Sequence, residues 1–294
     1  MLSLNAAEAV ASTAAELLPG TVHQLARDIE ERMLRIPTRL NSYGYDAWGL
    51  HLDTARRAML ATALLYRYWF RAETRGIERL PPGRAILISN HAGQIALDAA
   101  MIAAACFLEA EPPRIVRGMG EYWLPTVPWV NIVMVRTGSV VGTRKNCIDL
   151  LENDEAVIAF PEGIRGMNKL IWERYQLQEF GQGFMRLALE TTTTIVPIAV
   201  IGSEEQAPSF ANLRGLGRLF GLPAFPVTLT FPWLGPLGFL PLPVKYHITF
   251  GEPMHFTGNP SDEDDVIADK VDQVKARIAA MLADGLAARR SLFW

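Results

Sequence analysis

Residues 86–98 read Ile-Leu-Ile-Ser-Asn-His-Ala-Gly-Gln-Ile-Ala-Leu-Asp and set a histidine and a carboxylate seven positions apart. An imidazole whose one nitrogen is held by a carboxylate keeps a single tautomer, and its other nitrogen is left as a proton acceptor near neutral pH. His91 with Asp98 is therefore a candidate general base with its orienting partner. In a continuous helix, seven residues would separate them by ~10 Å along the axis, beyond hydrogen-bond reach. A non-helical turn at Gly93 is needed to fold His91 back onto Asp98. Read alone, the segment also fits a loop histidine that only satisfies backbone groups.

A second stretch, Ala-Val-Ile-Ala-Phe-Pro-Glu-Gly-Ile-Arg-Gly at 156–166, is an apolar strand that ends abruptly. Pro161 cannot donate to a ladder and Gly163 permits a sharp turn, so Glu162 and Arg165 project from the strand tip. Glu and Arg three apart can equally pair with each other on a surface loop.

Two further blocks accompany these. Val130-Asn131-Ile132-Val133-Met134-Val135-Arg136-Thr137-Gly138-Ser139-Val140 lies between them, and Gly181–Glu190 leads into Ile195–Gly202 after them. In this order the four blocks resemble the glycerolipid acyltransferase superfamily over about residues 70–251, and its bacterial monoacylglycerol-acyltransferase-like branch in particular. The spacing from His to Asp is longer than in lysophosphatidic acid acyltransferases: position 96, where the shorter spacing would place Asp, is Ala.

The resemblance implies an enzyme that moves a fatty acyl group from acyl-CoA or acyl carrier protein to a hydroxyl of a glycerolipid or lysophospholipid. His91 would take the hydroxyl proton and Asp98 would steady the imidazolium. Glu162, Gly163 and Arg165 would help bind the acceptor, and Arg136 is a candidate for a head group or phosphate. No bound cofactor is implied, because the thioester is a co-substrate. Lys169 is either further charge for a phosphate or nucleotide, or a surface lysine; Arg144 is a weaker candidate of the same kind. Backbone N–H groups near Gly93 or Gly163 are candidate oxyanion donors. Two rival readings stay open: an esterase or thioesterase using water at the same His91–Asp98 pair, and a non-catalytic lipid-binding protein. No Gly-x-Ser-x-Gly elbow occurs in the chain, which weighs against a serine hydrolase.

The elements that must position these residues follow from hydrophobic periodicity. Short strands are expected at Ala85–Ser89, Arg114–Arg117, Ile132–Arg136, Ala156–Phe160 and Ile195–Ile201, with helical patterns between most of them. That alternation specifies an α/β fold, a largely parallel central sheet flanked by helices, with an N-terminal helical segment and a C-terminal helix. Val227–Phe231 and Tyr246–Phe250 read as further strands forming an antiparallel edge. Helical patterns cover 3–35, broken at Pro19-Gly20, and 53–71; the last helix runs over 262–287, with Ser261 as N-cap and acids in its first turn. The division expected is residues 1–70 as a helical, membrane-associating segment and 71–294 as the acyltransferase domain.

At 294 residues and 50% hydrophobic content the chain can bury a sizeable core. A net charge of −3, with no basic stripe interleaved with aromatics, excludes a nucleic-acid surface. The two cysteines, Cys106 and Cys147, sit in apolar or helical stretches and read as free thiols in a reducing compartment. Residues 1–18 carry Glu8 and Glu16 and no basic start, so they do not read as a secretory signal, and the expected location is cytoplasmic, on the inner face of the membrane. Leu219–Val244 is uncharged but interrupted by Pro223, Pro226, Pro232, Pro236, Pro241 and Pro243, which forbids a spanning helix. Its Phe220, Phe225, Phe231, Trp233 and Phe239 make it either a monotopic contact with a membrane lipid surface or a cover for the core. Tyr66–Arg71 and the tail Arg289–Trp294 have a similar aromatic and arginine composition and are further interfacial candidates. Oligomeric state has no signature in the sequence.

Overall fold

A computed structural model describes residues 19–91, 94, 96–126, 129–219 and 225–294. The expected turn at Gly93, the helical pattern before Pro19 and the aromatic Phe220 lie outside the described residues.

A seven-stranded sheet forms the centre, in the order β1 (Glu73–Arg75), β9 (His247–Phe250), β6 (Ile195–Ile201), β2 (Ala85–Ser89), β5 (Ala156–Ala159), β3 (Val116–Gly120), β4 (Val140–Val141). The neighbours from β6 to β4 run parallel; β9 pairs antiparallel with β6 and parallel with β1. The Tyr246–Phe250 reading thus becomes a strand reversed against the main sheet, with β1 outside it. Val227–Phe231 is corrected: β8 (Pro226–Thr228) leaves the main sheet and pairs only with β7 (Ser209–Asn212).

All five residues of β2 and all seven of β6 are buried, as befits strands covered on both faces. Their side chains alternate between two cores. Leu87, Val196, Ile198 and Val200 join one core with α1 (Pro19–Leu34), α2 (Leu52–Leu64) and α3 (Leu97–Leu108). Ile86, Ile88, Ile195, Ala199 and Ile201 join the other with α5 (Arg144–Glu152), α7 (Gly183–Thr191) and α9 (Asp264–Ala288). The N-cap residue of α9 is Glu263, without a side-chain cap, rather than Ser261; Asp264 and Asp265 do occupy the first turn.

Leu25, Ile29 and Met33 of α1 are buried in the first core, and Asp46 forms a 2.7 Å ion pair with Arg117 of β3. Tyr66 and Phe70 are core residues too, so the 66–71 aromatic cluster is not an exposed interfacial element. The tail is likewise fastened: Phe293 is buried, its carbonyl accepts from Arg71, and Arg289 pairs with Glu205.

The predicted strand at Ile132–Arg136 is a helix, α4 (Val130–Arg136). A seven-residue segment with five apolar residues satisfies either period, and its neighbours decide. Val130, Val133, Met134 and Thr137, spaced for a helical face, turn together toward a cleft. No described helix is long and apolar enough to cross a membrane.

Candidate active site

β2 ends at Ser89, and the next two residues are held by β6 and by the turn after β5. The Asn90 side chain behaves as a substitute peptide: Nδ2 donates to Val200 O at 3.0 Å and Oδ1 accepts Val200 N–H at 2.8 Å. The His91 N–H donates to Glu162 Oε1 at 2.8 Å. The imidazole Nδ1 lies 2.7 Å from Asp98 Oδ2 in the first turn of α3, and Asp98 Oδ1 accepts the Ala99 N–H at 2.8 Å. With an ionised Asp98 accepting from Nδ1–H, Nε2 is left as the proton acceptor. The ring stacks on Phe160, centroids 4.2 Å apart and planes 25° from parallel. His91 is 6% exposed and Asp98 fully buried.

The turn after β5 is built to meet this loop. Gly163 has φ +55°, a conformation that favours glycine, and its N–H is already bonded to Phe160 O at 2.9 Å, which removes it as an oxyanion donor. Gly166, in the short helix α6 (Ile164–Met167), approaches so closely that a Cβ would lie 2.9 Å from His91 Cβ and 2.8 Å from Glu162 Cβ.

Glu162 faces inward rather than toward a ligand. Oε1 holds the His91 N–H, while Oε2 accepts the Gln178 N–H at 2.8 Å and pairs with Lys169 Nζ at 2.9 Å. Its carboxylate is engaged by protein groups on both oxygens, the His91 N–H among them. Lys169 is buried, not a surface lysine, because Glu162 and Glu204 both pair with it. Burial pushes the Glu204 carboxyl up to about 7 against the opposing pull of the Lys169 ammonium. The arginines singled out in the sequence have other neighbours than His91. Arg165 is exposed and donates to Glu179 Oε2 at 2.8 Å. Arg136, also exposed, lies 6.0 Å from the centroid of the Tyr45 ring. Arg144 is exposed and paired with Glu190.

His91 opens onto a cleft of about 450 Å³ between α1, α2, α3, α4 and β3. Met33, Ala58, Met59, Ala100, Ala103, Val116, Met119, Val133, Met134 and Phe160 make its walls apolar, and small alanines on α2 and α3 leave the space open. Glu121 and His91 are the titratable side chains among the described residues lining it. Trp123 also lines the cleft, its Nε1 buried without a hydrogen-bond partner.

Sequence reasoning missed Asn90, Phe160, Gly166, Gln178 and the burial of Lys169. A polar residue closing an apolar strand was the available signal for Asn90, and a second glycine so close to Gly163 was one for Gly166; nothing local marks Gln178.

The model of the family described as Acyltransferase matches residues 71–201. An uncharacterized protein of Mycobacterium leprae is 39% identical over 234 residues, 78% of this chain and 64% of that protein. The chain therefore spans just under two thirds of that relative's length. An uncharacterized protein of Mycobacterium tuberculosis is 35% identical over 260 residues, 87% of this chain and 72% of the relative. Among solved structures, the 1-acyl-sn-glycerophosphate acyltransferase PlsC from Thermotoga maritima superposes with a TM-score of 0.50 at 18% identity, covering 81% of this chain and 80% of that one, which is a likeness of fold.

Proposed function

The chain belongs to the family described as Acyltransferase, and on that premise we propose that it is a glycerolipid acyltransferase that transfers a fatty acyl group from an acyl-CoA or acyl carrier protein thioester to a hydroxyl of a glycerolipid or lysophospholipid, with His91 as general base. The observation that carries this reading is the His91–Asp98 pair at 2.7 Å, buried at the end of an apolar cleft. As the acceptor oxygen attacks the thioester carbonyl, its proton passes to His91 Nε2 and a C–O bond forms. The C–S bond then breaks, and the imidazolium returns the proton to the leaving thiolate. Asp98 stabilises the transient imidazolium, and general-base catalysis of this kind contributes ~10²–10⁴-fold. A cleft of this volume lies within the range of small-ligand sites, roughly 300–1,000 Å³, and its apolar walls suit an acyl chain.

The charges favour an uncharged acceptor over a phosphorylated one. No Lys or Arg is among the described residues lining the cleft, and Arg165 and Lys169 are engaged with carboxylates.

A membrane lipid surface is the proposed source of the acceptor lipid. Trp233, Leu237 and Phe239 are 73%, 67% and 42% exposed in the uncharged 225–244 segment, and Phe231 packs its ring against Phe225 and Phe239, with centroids 4.9 and 4.1 Å away. Its strand β8 pairs with β7, and Asn212 of β7 donates to Asn168 O, next to Lys169 in the chain, at 2.6 Å.

The test is purified protein with labelled acyl-CoA and a panel of 1-acylglycerol, its 3-phosphate, diacylglycerol and a fatty alcohol, products resolved by mass spectrometry. Ester formation lost in His91→Ala is expected, with 1-acylglycerol used at least ~10-fold better than its 3-phosphate, the size of one net charged hydrogen bond. Hydrolysis that exceeds transfer with every acceptor would overturn the reading in favour of a thioesterase.

A further inference from the structure

Behind the base lies a set of buried ionisable groups to which the reaction above gives no part. Lys169, with a side chain 3% exposed, stands between two carboxylates, 2.9 Å from Glu162 Oε2 and 3.3 Å from Glu204 Oε1. Glu204 comes from the turn after β6, and its Oε2 accepts the Tyr175 N–H at 2.8 Å. Glu162 in turn is one hydrogen bond from the backbone of His91. A continuous path therefore runs from Glu204 through Lys169 and Glu162 to the base.

The surroundings of Glu204 define its electrostatics. Lys169 faces it from the segment after α6, Glu162 from the turn after β5, and Tyr175 from the loop that precedes α7. On its own turn Glu205 is engaged elsewhere, accepting from Tyr175 Oη at 2.7 Å and from Arg289 at 2.5 and 2.8 Å. Beyond Glu162 stands the His91–Asp98 pair. With both Glu162 and Glu204 ionised, one ammonium faces two carboxylates in a site closed to water, and the excess negative charge is poorly solvated. Protonation of one carboxyl makes the set neutral. Glu162 accepts from two backbone N–H groups and Lys169, whereas Glu204 accepts from one N–H and Lys169, so the proton goes to Glu204.

We propose that Lys169 and Glu204 are positioning residues for His91: Lys169 fixes the Glu162 carboxylate that anchors the His91 N–H, and gain or loss of a proton at Glu204 changes how strongly Lys169 is drawn from Glu162. The proposal rests on the assignment of His91 as the base only for its functional meaning. Its physical content is the coupling of Glu204 to His91. A neutral Glu204 leaves the ammonium committed to Glu162. An ionised Glu204 shares the ammonium and adds a negative charge to the buried set, which raises the proton affinity of the imidazole.

Histidine-selective ¹⁵N labelling of the full chain tests this without an activity assay. The protein has five histidines, and the His91 resonance is the one missing in His91→Gln. In the wild type, its Nδ1 and Nε2 shifts should carry an extra inflection near pH 7, where Glu204 titrates. Glu204→Gln should remove that inflection and lower the His91 midpoint by roughly half a unit or more, the scale of a charge screened at a protein-like dielectric, while the His255 curve stays unchanged. The pH profile of kcat should lose the same inflection with KM unaltered. Superimposable His91 titrations in wild type and Glu204→Gln would overturn the proposal. Lys169→Met should shift the His91 curve as well, and Glu204→Gln, which keeps an oxygen for the Tyr175 N–H, decides the matter if Lys169→Met does not fold. Loss of the general-base reading would appear separately, as transfer activity surviving His91→Ala while the His91 titrations still differ.

Discussion

Asp98→Asn isolates the charge on which the proposed base depends. The Asp98 carboxylate is fully buried and its Oδ2 lies 2.7 Å from His91 Nδ1. When His91 takes a proton, a unit positive charge forms about 4 Å from the centre of that carboxylate, where the interaction at an effective dielectric of about 20 is worth about 4 kcal/mol. At 1.4 kcal/mol per decade this corresponds to a loss of roughly 10³ in kcat. The amide can still accept the Ala99 N–H through its oxygen, so the fold should persist. Its NH₂ would face Nδ1, however, and favour the tautomer that carries the proton on Nε2, where the acceptor must deliver one. The assay is single-turnover acyl transfer from a labelled thioester to 1-acylglycerol, with near-UV circular dichroism as the control for folding. A folded Asp98→Asn enzyme within ~10-fold of wild type, beside an inactive His91→Ala, would refute the reasoning, because general-base assistance without an orienting carboxylate would then suffice.

Other perturbations read different parts of the structure. Gly166→Ala places a methyl 2.8–2.9 Å from Glu162 Cβ and from His91 Cβ and O; overpacking should cost about 1–3 kcal/mol in urea unfolding and displace His91, lowering kcat more than it raises KM. Glu204→Gln should change stability in a pH-dependent way. The wild-type carboxyl, moved from 4.5 to about 7, holds its proton more tightly folded than unfolded. Folding is thus favoured most below about pH 4.5, and this contribution is lost as pH rises through about 7. The variant should gain thermal stability over wild type at pH 8 relative to pH 5, by an amount of order 3 kcal/mol at most; equal differences at the two pH values would contradict the shift. Trp233→Glu with Leu237→Glu should abolish co-sedimentation with liposomes and leave transfer to detergent-dispersed acceptor intact. Unchanged sedimentation would move the contact elsewhere.

The hydrophobic pattern disclosed the parts of the site that depend on local order. Four apolar residues running into Ser-Asn-His specify β2 and its exit loop, and Asp98 falls in the first turn of α3 as its spacing requires. Less legible were roles set by distant partners. Glu162 projects from a strand tip as expected, yet its oxygens turn to His91, Gln178 and Lys169, a choice made by burial after the chain has folded. Lys169 looks like a surface lysine until Glu204, from another strand end, arrives beside it. The Val130–Arg136 run fits both periods, and only the cleft selects the helical one. Tyr66 and Phe70 have the composition of an interfacial anchor but are enclosed by the first core.

The clamp at Asn90 bears on how a reaction partner is received. With Asn90 laced into β6 and the following amide held by Glu162 in the turn after β5, the backbone beneath the imidazole is moored on two sides at once. Phe160 and Asp98 then restrict the ring itself. Little freedom remains to be frozen out when reactants arrive, since the entropy of aiming the base was surrendered at folding. Adjustment must therefore come from the incoming lipid, whose hydroxyl has to find a stationary target.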